Sequence, residues 1–342
     1  MKTPFLFSPE NHQPEREYIF REAAKKCGFP AYIIEKDYMV CMVLTWIFEY
    51  LKPKCLENTP TPFLFKGGTT LSKIFKVINR MSEDIDLSLN MNYLAYPEPV
   101  KESKSALKRR VEALKKEGAK RIDEDFRPHL ETWLRQFHTD FRVSIDASEP
   151  LNLIINYPQS LGETDYQVTY VQPKIMVETG GRAGFEPHST HIIKPIAFEE
   201  LSINEDECRV DALDVSRTFF EKLTLLHEMN HRGKDFIRDR QSRHLYDLVK
   251  IYNNYPNLIE DNESLALLET VRVHKEKYFY RKTSKWNLAE PGSLAILPNE
   301  EVSLVLKHDW LKMIQMFPNE TLPMTFDELI NKLNVINNKI NH

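Results

Sequence analysis

Residues 63–89, FLFKGGTTLSKIFKVINRMSEDIDLSL, place two glycines and two threonines shortly before two aspartates that are spaced one residue apart. The apolar triplet at 63–65 predicts a short buried strand, and the spacing of apolar residues over 69–81 predicts a helix. The alternation of apolar and polar residues over 84–89 predicts a second strand. The stretch therefore predicts a strand, a glycine turn, a helix and a strand, in that order.

The two aspartates, Asp84 and Asp86, are predicted to share one face of the second strand, because successive side chains in a strand point to opposite faces. Two neighbouring carboxylates suit a hard divalent cation such as Mg²⁺, and keeping both ionised without a cation is costly. In a two-metal site, one ion activates an attacking hydroxyl and both stabilise charge at phosphorus. We therefore expect Asp84 and Asp86 to bind Mg²⁺.

The glycine turn is predicted to hold the phosphates of an NTP substrate. Gly67 and Gly68 have no Cβ, so a phosphate can approach their backbone. Thr69 and Thr70 open the helix, where unpaired N–H groups and the helix dipole favour an anion. We assign Lys66 and these four residues to nucleotide binding. Taken singly, a GGT turn or a solvated DID strand edge is common, so it is their joint occurrence that favours nucleotidyl transfer.

The rest of the chain predicts a protein with both helices and a sheet. The spacing of apolar residues predicts helices at 16–29 and 33–51, and the charged segment 101–138 is also helical in pattern. A loop is expected between Pro187 and Pro195. Four further strands are predicted, namely FRVSIDA (141–147), LNLIINY (151–157), YQVTYVQ (166–172) and KIMVETG (174–180).

The composition argues against several classes of protein. The net charge of −4 does not indicate nucleic-acid binding by the chain as a whole, so any basic surface has to be local. The longest apolar stretch, 38–48, is too short to span a bilayer, and the first residues lack a signal-peptide core. We expect no membrane association and a cytoplasmic location with reduced thiols, because no CxxC pair occurs among the four cysteines, Cys27, Cys41, Cys55 and Cys208.

Several blocks of the sequence resemble the AbiEii/AbiGii toxin family of the nucleotidyltransferase superfamily, which belongs to abortive-infection and toxin–antitoxin systems. The resemblance covers about residues 33–252. It implies a toxin that transfers NMP from an NTP to an acceptor, with tRNA the favoured acceptor and an antitoxin regulator encoded nearby. The blocks are IIEKDYMVCMVL, KGGTTLSKIF…RMSEDIDL, KIMVETGGRAGFEP, RTFFEKLTLLHEMNHR and SRHLYDLVKI.

The resemblance also implies roles for single residues. Gly68 and Thr69 would hold the phosphates, and Asp84 and Asp86 would bind Mg²⁺. Lys222 matches the family's functional lysine, which acts on phosphate or on the transition state.

Two carboxylate assignments remain open at this point. Asp247 in LYDL matches the later functional aspartate of the family. Family members often have Arg-Asp just before this element, where this chain has Arg243 and His244, so Asp239 stays an alternative. Glu178 in KIMVETG is either the third carboxylate of the superfamily, acting as general base or metal ligand, or the partner of Arg182 in an ion pair.

A second motif, HEMNH at residues 227–231, fits the HExxH pattern of zinc proteases. On a helix, His227 and His231 would share a face and could bind zinc, with Glu228 as the base. A third ligand has no recognisable context in the sequence, and the motif lies within a block that resembles the toxin family. We therefore keep a zinc metalloprotease only as an alternative, and favour a pair of hydrogen-bonded helix histidines.

The segment 101–121 contains nine Lys or Arg residues and three Glu. It is either a solvated helix face or the footprint of RNA phosphates.

Together these observations predict an α+β fold. Residues 1–205 would form a nucleotidyltransferase-like mixed sheet with N-terminal helices and a basic helical insertion at about 101–138, and residues 206–342 would form a helical domain. The predicted activity is Mg²⁺-dependent NMP transfer, most plausibly to tRNA. The alternatives are transfer to a hydroxyl of a protein or small molecule by the same site, and nucleotide binding without turnover.

Overall fold

The structure is a computed structural model that describes residues 3–167 and 171–342. It divides into two compact units, neither of which is a continuous stretch of chain. Unit 1 comprises Met1–Ile74 and Met81–Ala212, and unit 2 comprises Phe75–Arg80 and Leu213–His342. The short segment Phe75–Arg80 therefore belongs to the second unit although unit 1 flanks it on both sides in sequence.

A seven-stranded mixed sheet organises unit 1, in the order β3-β4-β5-β2-β1-β7-β6. The central pair β1 and β2 is antiparallel, while β2 pairs with β5 and β1 with β7 in parallel. The pairs β3–β4 and β4–β5 are antiparallel. The described strands are β1 (Phe63–Lys66), β2 (Ile85–Leu89), β3 (Arg142–Ile145), β4 (Asn152–Asn156), β5 (Lys174–Gly180), β6 (His188–Ile193) and β7 (Cys208–Leu213). This mixed sheet with its helices confirms the predicted α+β class.

Helix α2 (Ala31–Thr45) lies in the core of unit 1, and every residue from Tyr32 to Leu44 is buried. It continues into a π-helical turn, Trp46–Leu51. A second π-helical turn, Ile122–Phe126, joins the helix Lys104–Arg121 to the helix Arg127–Arg135. The other helices of this unit are α1 (Gln13–Cys27), α3 (Gly68–Lys73), α4 (Lys104–Arg121), α5 (Arg127–Arg135) and α6 (Ile196–Leu201). The helices predicted at 16–29, 33–51 and 101–138 are confirmed.

Unit 2 is helical in its described residues, as the sequence predicts. Two of its helices illustrate how they begin, at side chains that accept a backbone N–H: Asp214 accepts from Ser216 before α7 (Val215–Arg232), and Thr325 forms a capping box with Glu328 before α11 (Phe326–Asn341). The helices are α7 (Val215–Arg232), α8 (Arg243–Asn254), α9 (Asn262–Tyr278), α10 (Glu300–Lys312) and α11 (Phe326–Asn341).

Several predicted boundaries were wrong. The helix predicted over 69–81 ends at Lys73, and Lys76 has a φ of 53°, a left-handed conformation that a helix cannot continue through. The region between Pro187 and Pro195 forms strand β6 instead of a loop, because it extends the sheet beyond β7. The strand predicted at 166–172 includes residues 168–170, which lie outside the described residues.

Candidate active site

The glycine turn and the second aspartate of the DID motif lie against each other. Gly67 follows β1 with a φ of 83°, and α3 starts at the next residue. A Cβ on Gly67 would lie 1.8 Å from Oδ2 of Asp86. Only glycine fits here, because any side chain would both strain the backbone and displace the Asp86 carboxylate.

A row of polar side chains crosses the sheet at this end. In the strand register Lys66 of β1 lies opposite Asp86 of β2, and Asp86 lies opposite Glu178 of β5. Residues directly opposite each other point to the same face of a sheet. The structure therefore places Glu178 beside Asp86, as a third carboxylate requires, and adds Lys66 on the other side.

Asp84 is the residue immediately before β2, which begins at Ile85. The prediction that Asp84 forms part of this strand was therefore wrong by one residue. Its position is fixed through the backbone, since Oγ1 of Thr69 donates a hydrogen bond to the carbonyl oxygen of Asp84 (2.6 Å) and lies 3.0 Å from Oγ of Ser82. The hydroxyl of Thr70 donates to the carbonyl oxygen of Gly67 (2.8 Å). Both hydroxyl protons are thus used inside the turn, so Thr69 and Thr70 can donate to a phosphate only through their backbone.

The carboxylates at this site fit Mg²⁺ by type and number. Within residues 3–167 and 171–342, no group of three or more His, Cys, Asp or Glu side chains is arranged to hold a metal ion by itself. Mg²⁺ is commonly bound through one or two carboxylates, with water and substrate phosphates completing its octahedron. Asp84 and Asp86 supply hard oxygen ligands of that kind next to the glycine turn.

Two buried ion pairs from α2 hold the chain on either side of the site, and sequence reasoning missed them. Nζ of Lys36 lies 2.5 Å from a carboxylate oxygen of Glu83, the residue before Asp84. Oδ1 of Asp37 lies 2.6 Å from Nζ of Lys73, the last residue of α3. All four side chains are at most 4% exposed. The signal was present as EKD, residues 35–37, inside an otherwise apolar helix, where buried charges need partners.

In unit 2, the predicted functional residues Lys222 and Asp247 are brought together. Nζ of Lys222 lies 2.8 Å from Oδ2 of Asp247, which is fully buried. Arg80 donates to both carboxylate oxygens of Asp247 from Nε (2.8 Å) and Nη2 (2.7 Å). The third member, Arg80, lies 167 residues earlier in the chain and was not identified from the sequence. The alternative aspartate, Asp239, is exposed in the same unit.

The charges in this cluster shift one another's titration. Burial alone would raise the pKa of Asp247, but Arg80 and Lys222 outweigh it and hold that pKa well below the usual range of a carboxyl. Burial lowers the pKa of Lys222, and Asp247 counteracts only part of this effect. Burial, with the charges of Lys222 and Arg243, places the pKa of His244 well below its ordinary value. The cluster is therefore a compact ion-pair network with a neutral histidine beside it.

The family model described as "Nucleotidyl transferase AbiEii toxin, Type IV TA system" matches residues 56–332, most of the chain. The chain belongs to this family. It is a nucleotidyltransferase and the toxin of a type IV toxin–antitoxin system. Among solved structures, MenT4, a nucleotidyltransferase toxin from Mycobacterium tuberculosis H37Rv, is similar over 94% of this chain and 98% of its own, with 15% identity and a TM-score of 0.42. No curated protein matches the sequence.

The HEMNH segment of this AbiEii-family chain is hydrogen-bonded to backbone. Nδ1 of His227 accepts from the N–H of Ala295 (3.1 Å), so Nε2 carries the proton and donates to the carbonyl oxygen of Lys285 (3.0 Å). Both nitrogens of His227 are thus used, and neither has a lone pair for zinc. Burial lowers the pKa of His227 to about 4. This arrangement of His227 argues against the zinc-protease alternative. The predicted hydrogen-bonded pair is seen only in part, because Nε2 of His231 is buried and has no hydrogen-bond partner among residues 3–167 and 171–342.

Basic residues of this toxin line the outer side of α4. Lys104, Lys108, Arg109, Lys116 and Lys120 are exposed.

None of the helices in the described part of the chain combines the length and apolar character needed to span a bilayer.

Proposed function

We propose that this toxin transfers a nucleoside monophosphate from an NTP to a hydroxyl of tRNA in the cytoplasm, with Mg²⁺ bound by Asp84 and Asp86. The observation that supports this best is the contact between the Gly67 turn and Asp86, with Glu178 opposite Asp86 in the sheet. The Asp86 carboxylate occupies the space that the missing Cβ of Gly67 leaves, so the glycine turn and a carboxylate pair for a cation lie side by side. Nucleotidyl transfer requires that combination.

In the proposed reaction, the acceptor oxygen bonds to the α-phosphorus of the NTP, and the bond from that phosphorus to the bridging oxygen of pyrophosphate breaks. The backbone of Gly67, Gly68 and Thr69 holds the phosphates. Bound Mg²⁺ would neutralise charge on the phosphates and on the leaving pyrophosphate. Glu178 accepts the proton of the attacking hydroxyl, since a carboxylate beside the metal-binding pair is in a position to act as a base.

Lys222 and Asp247 are proposed as functional residues on the basis of the family alone. If Lys222 stabilises charge in the transition state, Lys222→Ala should lower kcat about a hundredfold or more. A loss of thermal stability with normal kcat would instead assign Lys222 to the ion-pair network with Asp247.

The acceptor is proposed to be RNA because the exposed basic face of α4 can neutralise phosphates. The antitoxin that the family implies would be encoded nearby.

The test uses each of the four NTPs, radiolabelled at the α-phosphate, with Mg²⁺ and total RNA or lysate. We expect one RNA class to become labelled, and expect Asp84→Ala and Asp86→Ala to abolish labelling and growth inhibition. Asp140→Ala is the matched control, because Asp140 is exposed and has no proposed role, and it should behave as the wild type. Full labelling by the Asp84→Ala, Asp86→Ala double variant, or labelling of a protein in place of RNA, would contradict the proposal.

A further inference from the structure

A cavity of about 400 Å³ opens in unit 1, and the proposed reaction does not use it. Its volume is typical of a small-molecule site. Most of its apolar wall is aromatic, formed by Trp46, Tyr50, Tyr93 and Trp133. Flat aromatic walls favour a flat ligand, because aromatic rings pack in offset-stacked or edge-to-face pairs.

The cavity is separate from the candidate active site. Tyr93, in its wall, packs edge-on against Phe63 with ring centroids 5.1 Å apart. Phe63 begins β1, whereas Gly67 follows the last residue of that strand. Four residues of strand correspond to about 13 Å. The cavity thus lies toward the opposite end of β1 from the glycine turn.

Both π-helical turns of the described chain contribute to this cavity. Trp46–Leu51 supplies two of its aromatic walls, and Ile122–Phe126 supplies Asp125. The two turns also contact each other, since the ring centroids of Trp46 and Phe126 are 6.0 Å apart. π-Helical turns are rare and occur frequently at functional sites. That two of them meet at one cavity is an independent indication of a binding role.

The polar groups of the lining match the edge of a heterocycle. Trp133 is 3% exposed, and its indole N–H finds no acceptor among residues 3–167 and 171–342. A buried donor without a partner is costly and indicates that something else accepts from it. Asn58 and Gln136 add amide groups that both donate and accept, and Asp125 adds an acceptor.

The basic helix α4 leads directly to the cavity. Its last residue, Arg121, lies in the cavity wall, where it donates to Asp125 (3.1 Å). Lys108, Lys116 and Lys120 precede it on the exposed side of the same helix. An aromatic pocket at the end of a row of cations is the arrangement by which proteins hold single-stranded nucleic acid.

We propose that this cavity binds an unstacked nucleobase of a single-stranded RNA segment whose phosphates follow α4. The base stacks on Tyr50, the half-buried ring of the aromatic wall, and presents its edge to Asn58, Gln136 and the indole N–H of Trp133. That the RNA is the acceptor rests on the proposed function. The cavity itself takes no part in phosphoryl chemistry.

Fluorescence anisotropy of a labelled eight-nucleotide single-stranded RNA, without NTP or Mg²⁺, tests this. Tyr50→Ala should weaken binding about tenfold or more, the usual effect of losing one stacked base. Trp133→Phe, which keeps a ring and removes the donor, should have a smaller effect. Asn58→Ala and Gln136→Ala change exposed side chains that folding does not need, and should weaken binding severalfold. Gln159→Ala and Asn334→Ala, exposed amides outside the cavity, are the matched controls.

An RNA backbone of the same charge that lacks bases should bind the wild type as weakly as normal RNA binds Tyr50→Ala. Equal affinity for the two RNAs, or unchanged binding by the rim variants, would overturn the proposal. If the protein bound a free mononucleotide but no oligonucleotide, the proposal that the bound base belongs to an RNA chain would be overturned. Because binding is measured without turnover, cavity-dependent RNA binding with no NMP transfer would refute only the proposed function. Transfer to RNA with no dependence on the cavity would refute only this inference.

Discussion

Gly67 meets two constraints at once, a φ of 83° and contact with the Asp86 carboxylate. We expect Gly67→Ala to displace that carboxylate, because a Cβ would lie 1.8 Å from Oδ2. Labelling activity should fall at least about a hundredfold, since misplacing a reacting group by about 1 Å has that effect. The rate of NMP transfer measures the change.

Gly180 is the matched control for this glycine. A Cβ there meets nothing within 4 Å, so Gly180→Ala should keep wild-type activity and stability. Normal activity in Gly67→Ala would show that the contact with Asp86 does not matter for the reaction.

Thr69 is expected to act through position, since its hydroxyl donates to the carbonyl oxygen of Asp84. Thr69→Val keeps the shape but leaves that buried oxygen without its donor, at a cost of about 1–3 kcal/mol. We expect a lower kcat with an unchanged KM for NTP, measured by steady-state labelling.

Thr69→Ser retains the hydroxyl and should restore most of the rate. If Val and Ser variants are equally active, the hydrogen bond to Asp84 has no role in catalysis.

Local sequence was sufficient to predict that the glycine turn and the DID motif lie together, because Lys66 and Asp86 are only twenty positions apart. It was not sufficient for the partners that position them. Lys36 lies 47 residues from Glu83, and Arg80 lies 167 residues from Asp247. The charges of these residues and their spacing along the chain do not predict which of them pair, because only the packed fold brings them together. Thr69 illustrates a further limit, since the sequence shows a hydroxyl but not its acceptor.

Helix α2 offers a prediction at the scale of an element, because its two ion pairs attach the chain on both sides of the candidate site. Lys36→Met leaves Glu83 buried without its cation, and removing one partner of a buried pair costs about 3–5 kcal/mol. We expect that loss in the free energy of unfolding, measured with urea. We also expect lower activity, since Asp84 follows Glu83 directly.

Adding Glu83→Gln to Lys36→Met should recover part of the lost stability, because the unpaired charge is then gone. Lys25→Met on α1 is the control, as its pair with Glu22 is exposed and screened by solvent and should contribute little to stability. A small effect of Lys36→Met, similar to that of Lys25→Met, would contradict the positioning role of α2.

Helix α7 carries a pH dependence through His227, whose pKa is lowered to about 4 by burial. An unfolded histidine titrates near 6.5, so below that pH the unfolded chain binds more protons than the folded one. The contribution of His227 to the free energy of unfolding is therefore fully present above about pH 6.5, and it is lost as the pH drops toward 4. The His227 contribution between pH 8 and pH 5 should be about 2 kcal/mol, measured by urea unfolding at both values.

His227→Gln does not titrate, so the variant should lose that part of the pH dependence. His129→Gln, at an exposed histidine of α5, should leave the wild-type dependence intact. An unchanged pH dependence in His227→Gln would contradict the neutral, backbone-bonded histidine.

Element boundaries show why the pattern of apolar residues has limits. The apolar residues after Lys73 have helical spacing, yet Phe75–Arg80 packs in unit 2, and the helix stops before it. Burial of a short segment against other helices preserves apolar spacing without preserving the helix. The spacing therefore predicted which residues are buried better than it predicted their backbone.

At the scale of the whole molecule, the division of unit 2 into two stretches of sequence can be tested with the fragment Leu213–His342. The fragment contains Asp247 and Lys222 but lacks Arg80. In the full chain, Asp247→Asn leaves two buried cations without their anion and should cost about 3–5 kcal/mol. In the fragment the same change should cost less, as urea unfolding of both proteins would show.

Asp309→Asn is the matched control. Asp309 is buried and accepts from the N–H groups of Arg240 and Ser242, all inside the fragment, so its cost should be similar in both proteins. An equal cost of Asp247→Asn in fragment and full chain would show that Arg80 does not stabilise this aspartate.

The placement of Phe75–Arg80 also sets an order of events during synthesis on the ribosome. Arg80 is made 167 residues before Asp247, which at about 5–20 residues per second is roughly 8 to 33 seconds. Over that interval Asp247 has not yet been made, so its ion pair with Arg80 cannot form, whether or not unit 1 has already folded. The ion-pair network around Asp247 can thus form only after nearly three quarters of the polypeptide has been made. A truncated translation product that stops before Asp247 would carry the glycine turn and the DID motif without a finished second unit.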